Sequence, residues 1–508
     1  MQRSSSIIKD STKYTLGTIA AQVIGIFTSI ATRRLLTPEM MGVWATFLLV
    51  LNYSLFAHMG IFTAVEVRIP YLRGKNETGE IEAIRDIAYT FGMAVSLIMA
   101  AALVIVSFLF AREAPSYIIL GIRMTALIVA ATLFYNLYIV MLRADKKFSL
   151  IAKAMVFNSA AMFLFITVLA YLYGLKGVYF ATFLATTASW LYVRSKAGYK
   201  LKPRFKVSKA VGLTKIGLPI LIVGIAYTFL ISIDKIMIIK MMGAKELGFY
   251  SIAVLALTYT NTFPKLFGIV IFPNMQEAFG RTDSKEHIMG YVRQPALILA
   301  YIFPALLAAA YFALPVLVHY VLPKYILGIG SMKMLLVGCF FISLAPLAQN
   351  FVISLNKQVV LIPMTIAAVF LGMGLNYGAI KMGYGINGVA CGTSVAYFVY
   401  FVAVFYYALI HCDKWQKICG FFLRVCAPLV YAAAVLVALE CLVKNPSLCW
   451  RTLIQAGVFF LAYLPVLLYL DRKTGISARF FKREPAGVMP VENELIIEST
   501  GQTDVGNI

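Results

Sequence analysis

Asp234 and Lys235 stand side by side inside an apolar run, 216–239. An ionisable group in hydrocarbon is costly, so it faces a cavity, a partner or an ion. Arg33 and Arg34 follow directly on another apolar run, Lys240 lies six residues beyond Asp234, and Lys265 sits beside Pro264 within a third. Guanidinium and ammonium groups held in a cavity suit phosphate oxygens, the arginine fork most of all. Arg33, Arg34, Lys235, Lys240 and Lys265 are therefore the candidate substrate-binding cations. Asp234 is a candidate for coupling or for setting conformation, with a structural partnership to Arg33 or Lys235, or a cation site, as alternatives. His58, near the middle of its run, titrates near neutrality and joins Asp234 as a coupling candidate. A buried, hydrogen-bonded histidine is the other reading. Glu66 and Arg68 read as a local ion pair that could bear on conformation. For Arg33, Arg34 and Lys240 the alternative is that long cationic side chains simply reach to the nearest interface.

Helix rise sets the depths. Asp234 is about 18 residues into its run, or roughly 27 Å, and Arg33 about 19 residues into its own, so the two share a level. Lys265 lies roughly 15 Å away in depth and does not pair with Asp234.

The elements that carry these residues follow from composition. Of 508 residues, 61% are hydrophobic and 13% charged, against about half and a quarter in a soluble domain. That excludes a disordered chain, a coiled coil and a disulfide scaffold, and argues against a soluble enzyme. Fourteen apolar runs reach spanning length: 14–32, 42–66, 87–110, 117–141, 154–173, 177–193, 216–239, 249–273, 295–320, 334–355, 359–380, 386–410, 421–442 and 452–470. Without the two weakest, 177–193 and 421–442, the count is twelve. The first run ends in Thr32-Arg33-Arg34 rather than at a small-residue cleavage site, so it reads as a span and not a signal peptide.

The net charge of +23 lies between the runs and implies membrane orientation, not nucleic acid. Thirty-one Lys and Arg fall on the side of the N-terminus and 12 on the other. Basic residues favour the cytoplasmic side, which places both termini in the cytoplasm. The expected organisation is a six-helix lobe over 1–193, a basic cytoplasmic linker over 194–215, a second six-helix lobe over 216–411, two extra helices over 412–470, and a disordered cytoplasmic tail over 471–508. The linker holds eight basic residues and no acidic one. It either lies along an anionic leaflet or only fixes topology. Cys441 and Cys449 are the two cysteines on the outer side, and a disulfide between them stays open. The chain has no phosphate loop, no His-Glu-x-x-His and no Cys/His metal spacing. No catalytic residue, metal or cofactor is expected.

The two lobes carry traces of a repeat. Gly174-Leu175-Lys176-Gly177-Val178 returns as Gly385-Ile386-Asn387-Gly388-Val389, an offset of 211. Arg34, Gly42 and Trp44 match Lys240, Gly248 and Tyr250 at an offset of 206. Six spans per repeat is an even number, so the repeats are parallel, related by an axis normal to the membrane.

Arg33-Arg34-Leu35-Leu36-Thr37-Pro38-Glu39 leading to Gly42 resembles the first hairpin of the polysaccharide transporter family. Gly217-Leu218-Pro219, Asp234-Lys235, Glu246-Leu247-Gly248-Phe249-Tyr250, Ile271-Phe272-Pro273-Asn274-Met275, Leu322-Pro323-Lys324-Tyr325 and the stretch Arg143 to Phe148 add to the likeness. The chain resembles Wzx-type flippases of the multidrug/oligosaccharidyl-lipid/polysaccharide (MOP) exporter superfamily over about residues 10–410. The resemblance implies an all-α, two-lobed, MATE-like transporter in a bacterial plasma (inner) membrane. Its substrate would be an undecaprenyl-diphosphate-linked glycan of O-antigen, capsule or exopolysaccharide type, flipped between leaflets by alternating access. Membrane lipids, and a glycan polymerase and chain-length proteins, would be its partners. The extra pair is similar to that of lipid II flippases, where the last two helices line a groove for the lipid tail, here 421–470. A lipid II flippase and a MATE-like cation or drug antiporter are the alternatives. A non-transporting scaffold for glycan assembly is a third.

Overall fold

The computed structural model describes residues 2–474 except 75–76, 111, 113–114, 205, 266–267, 269–270, 272–274, 276–277, 280–283, 356 and 444–446. Side chains are described from residue 13. Of the tail expected over 471–508, residues 471–474 are helical, while the rest of it and most of the Ile271–Met275 motif lie outside the described residues.

The described chain is helical, and every one of the fourteen apolar runs carries a helix. The helices are α1 (Gln2–Leu35), α2 (Pro38–Ser54), α3 (Ile61–Gly74), α4 (Thr78–Leu109), α5 (Ser116–Ala144) and α6 (Phe148–Ala197). After the linker come α7 (Val207–Leu230), α8 (Ile233–Met241), α9 (Ala244–Thr260), α10 (Lys285–Val321), α11 (Ile329–Ser354), α12 (Leu361–Lys381), α13 (Gly385–Ile410), α14 (Trp415–Leu442) and α15 (Leu448–Thr474).

Among the described residues, twelve helices are long and apolar enough to cross a membrane. Two details reconcile twelve with fourteen. A straight helix over the 50 residues of α6 would be roughly 75 Å long, over twice the ~30 Å of hydrocarbon. Instead α6 folds back at Gly174, whose φ of 57° is open to glycine and strained for other residues. Ser189 Oγ donates to Asn158 Oδ1 across the bend at 3.0 Å, and Lys147 Nζ reaches the Ala197 carbonyl at 3.1 Å. This hairpin holds both 154–173 and 177–193. The other difference is 249–273, where α9 is short in its described part and the run continues into residues outside the description.

Two spans are broken. The run 42–66 passes from α2 through a 3-10 turn, Leu55–His58, into α3. The run 216–239 is interrupted at Ile231–Ser232, between α7 and α8. Broken helices expose backbone groups and are tolerated in membranes where they line a cavity or are buried in protein.

The repeat is visible in backbone geometry. Gly385, 211 residues after Gly174, has φ 59° at the corresponding hairpin. Helices α2 and α9 correspond residue for residue at the 206 offset, and they cross each other. A Cβ on Gly42 would lie 1.7 Å from the Ala244 carbonyl oxygen, and one on Gly248 1.7 Å from that of Pro38. Ala244 stands to Pro38 as Gly248 stands to Gly42, so the crossing is self-complementary, as an approximate two-fold axis requires. Small residues at such crossings let backbones meet closely. This end of the bundle is called the crossing end below. The opposite end carries Gly198 to Arg204 and is the linker end. Helices α14 and α15 pack on α10, with Phe312, Phe459 and Tyr463 buried between them.

A cationic seam between the two lobes

The Thr37-Pro38-Glu39 motif does local work. The Thr37 hydroxyl accepts from the Met40 N–H as the cap of α2, Pro38 pre-sets the first turn, and Glu39 opposes the helix dipole. The turn brings the end of α1 against α9. There Arg33 is buried, with 5% of its surface exposed. Its Nε donates to Ser251 Oγ at 3.1 Å, its Nη2 to the Ser251 carbonyl at 2.9 Å and its Nη1 to the Ser29 carbonyl at 3.1 Å. No carboxylate lies within bonding reach of it among the described residues. A lone buried charge costs several kcal/mol unless hydrogen bonds and a counter-charge replace its water, and here only the bonds do. The seam continues through the Tyr259 hydroxyl, which donates to Ser29 Oγ at 3.1 Å, and the Tyr325 hydroxyl, which donates to the Leu36 carbonyl at 3.2 Å.

Asp234 lies just beyond the break after α7, in the first turn of α8, with 1% of its surface exposed. Its Oδ2 accepts from the Tyr250 hydroxyl at 2.7 Å and its Oδ1 from the Lys235 N–H at 2.8 Å. Lys235 Nζ stands 3.7 Å from Oδ1 and also donates to the Ile231 carbonyl at the break. Tyr53 of α2 shares a hydrogen bond with Ser232 at 2.5 Å, so a residue of the first lobe touches the broken span of the second. Beside Tyr53 a pocket of about 470 Å³ opens between α2, α4 and α8, lined by Leu49, Val50, Tyr53, Met99 and Ile239. Asn376 and Thr393, also buried in the second lobe, share a hydrogen bond at 3.1 Å.

Arg33 and Asp234 bind adjacent residues of α9, Ser251 and Tyr250, which places them at one level as their depths predict. The remaining cations do not join them. Arg34 and Lys240 are exposed, and Lys265 is exposed without a partner among the described residues. His58 is buried in the 3-10 turn, where Nδ1 accepts from the Gly60 N–H at 3.1 Å and the ring stacks on Phe62. Glu66 does not pair with Arg68. It accepts from Arg143 at 2.7 Å, and Arg68 lies over the Tyr71 ring. Two residues apart on one helix point in different directions. Cys441 and Cys449 are free thiols. Sequence reasoning missed Ser29, Tyr53, Ser251 and Tyr259, and Tyr325 entered only through the Leu322-Pro323-Lys324-Tyr325 motif. Tyr250 did carry a signal, through its match with Trp44.

The linker end is held by charge. Asp145 caps α5 and accepts from Arg85 at 2.6 Å, from the Tyr199 hydroxyl at 2.6 Å, and from Arg73. Burial opposes ionisation of Asp145, but the Tyr199 hydroxyl, Arg85 and Arg73 outweigh it and hold its carboxyl below the ordinary 3.8.

This all-helical bundle with broken helices meeting at a polar seam shares its fold with solved transporters. By structure the chain is similar to the lipid II flippase MurJ in its inward closed conformation: TM-score 0.65, 14% identity, covering 91% of this chain and 99% of that one. It is similar to an inward-facing multidrug resistance MATE family transporter of the MOP superfamily: TM-score 0.63, 15% identity, 79% and 95% covered. A MOP superfamily transporter from Pyrococcus furiosus, described by a binding pocket of reversed polarity, matches at TM-score 0.58 and 15% identity, 82% and 96% covered. These likenesses establish the fold. No curated protein matches the chain significantly in sequence. Residues 32–325, more than half of the chain, match the family described as Polysaccharide biosynthesis protein, and the chain belongs to that family. The fold is one shared with solved transporters, and among the described residues twelve helices are long and apolar enough to cross a membrane.

Proposed function

We propose that this protein is a flippase for a polyprenyl-diphosphate-linked glycan, of the O-antigen, capsule or exopolysaccharide type, moving it from the inner to the outer leaflet of a bacterial plasma membrane. The observation that carries this is Arg33: a guanidinium buried in the seam between the lobes, hydrogen-bonded but without a carboxylate among the described residues. When the crossing end parts, Arg33 loses Ser251 and is free to take a phosphate oxygen in its place. Lys235 stands at the broken span nearby, and Arg34, Lys240 and Lys265 offer further positive charge on the way in or out. The apolar tail has two surfaces to follow, the pocket between α2 and α8 and the pair α14 and α15. Asp234, joined to Tyr250 and Lys235, is the residue that reports ionisation or cation binding to the crossing; His58, Glu66 and Arg68 act on conformation at most.

The halves are the lobes 1–193 and 216–411, joined by 194–215, with both termini cytoplasmic. The crossing end then faces outward and is closed in this conformation. The test is lipid analysis of cells lacking the gene. A complete repeat unit trapped on a polyprenyl carrier in the cytoplasmic leaflet is expected, and its mass identifies the glycan. Accumulated lipid II would move the assignment to that substrate. Normal glycan export with new sensitivity to cationic drugs would sink the flippase reading in favour of the antiporter.

A further inference from the structure

Eight of the 45 Lys and Arg lie in 194–215, and the structure gives part of that stretch a defined shape. The Lys202 N–H donates to Asp86 Oδ1 at 3.0 Å and the Arg204 N–H to Thr90 Oγ1 at 2.8 Å. The backbone is thereby laid along α4, and the side chains are left to do something else. Beside it a pocket of about 370 Å³ opens, with Arg204, Lys206 and Lys209 around it and Ala83 and Ile87 of α4 as its apolar part.

The acids nearby are already engaged. Asp86 accepts from the Lys202 backbone, and Glu80 accepts from Lys209 at 2.6 Å. Arg204 and Lys206 are exposed and form no salt bridge among the described residues, with Glu80 acting on Lys206 only at longer range. Two unpaired cations and a third shared with one carboxylate leave the pocket positive. It lies at the ends of two spanning helices, α4 and α7, the level at which headgroups sit. Basic clusters flanking a span attract acidic lipid at about 1 kcal/mol per residue. An apolar wall beside three cations matches a phosphate joined to glycerol and the start of an acyl chain, whereas a free anion would use only the cations.

We propose that the pocket between α4 and the side chains of Arg204, Lys206 and Lys209 is a binding site for the phosphate headgroup of an acidic phospholipid. The site is separate from the seam and does not depend on what the protein transports. It also joins the first lobe to the linker, because Ala83 and Ile87 belong to that lobe and Lys209 lies in the linker, in the first turn of α7. A bound headgroup therefore ties α4 to α7 at the end opposite the crossing.

The experiment uses the purified full chain in detergent, titrated with phosphatidylglycerol and read by native mass spectrometry. The double variant Arg204→Gln/Lys206→Gln should bind the first lipid roughly tenfold or more weakly. The control Lys414→Gln/Lys417→Gln removes the same charge from exposed positions at the same end and should bind like the wild type. Phosphatidylcholine should not compete, and inorganic phosphate should displace the lipid only at far higher concentration. Equal loss in both variants would mean general charge attraction and would overturn the site. Unchanged binding in the first variant would also overturn it. Displacement by inorganic phosphate at the concentrations where the lipid binds would show a plain anion site and reject the lipid.

Discussion

Arg33, buried, and Asp145, partly buried, show how differently two charges can be handled. Arg33 keeps its charge by hydrogen bonds alone, so each bond counts. Ser251→Ala leaves Nε without its partner, and an unsatisfied buried donor costs about 1–3 kcal/mol. That cost falls on the closed crossing end and not on the open one. A cysteine at Gly25, which faces the Tyr259 hydroxyl across the seam, should then react faster with a water-soluble maleimide in a chain stripped of its seven cysteines. An unchanged rate would mean that Ser251 does not hold the seam. Asp145, by contrast, has counter-charges. Because its carboxyl is held below the ordinary 3.8, its contribution is full above that value and is lost as pH falls through the folded value. The thermal midpoint in detergent should fall more steeply below about pH 4 in the wild type than in Asp145→Asn. Near neutrality the variant should be less stable by about 1–3 kcal/mol, the range for hydrogen bonds to charged groups with one exposed partner. The sequence disclosed Arg33 and Asp234 because charge in an apolar run stands out. It did not disclose Ser251 or Tyr259, since a hydroxyl within a helix looks the same whether it bonds its own turn or the opposite lobe.

At the level of elements, the crossing of α2 and α9 is the strictest constraint. Gly42 and Gly248 each allow a carbonyl of the other helix to approach, and any larger side chain must push the helices apart. Overpacking of this kind costs about 1–3 kcal/mol, which shifts a two-state equilibrium roughly 5- to 150-fold. Gly42→Leu and Gly248→Leu should therefore depress transport by similar factors, because the approximate two-fold axis makes the positions equivalent. Gly374→Leu, in open space on α12, should leave transport near normal. Transport and thermal midpoint measured on all three separate the cases, and a large difference between Gly42→Leu and Gly248→Leu would argue against the symmetry. Both offsets of the repeat were legible in the sequence, since glycine at a backbone contact or a left-handed turn is not freely replaced. The fold-back of α6 was legible for the same reason, through Gly174. The breaks after Ser54 and Leu230 were not, although His58 and Gly60 follow the first and Ser232 and Asp234 the second, because tertiary packing, not propensity, decides where such a helix gives way.

Across the whole molecule, the same contacts decide how the lobes move. Arg33, Tyr325 and the glycine crossing lie at one end and Tyr259 roughly 20 Å further along α9, and each joins segments of different lobes. If transport proceeds by rocking one lobe against the other, these contacts must break in every cycle. Cysteines at Gly25 and Tyr259, bridged by a short bifunctional thiosulfonate in the cysteine-free chain, would hold α1 to α9 without touching Arg33, Asp234 or the linker pocket. Bridged protein should bind acidic lipid as before, since that site lies at the other end. It should cease to move glycan lipid between the leaflets of a vesicle, and reduction of the bridge should restore movement. Transport at the full rate while the bridge is intact would show that the seam stays shut during turnover, and the path of the substrate would then have to run outside it.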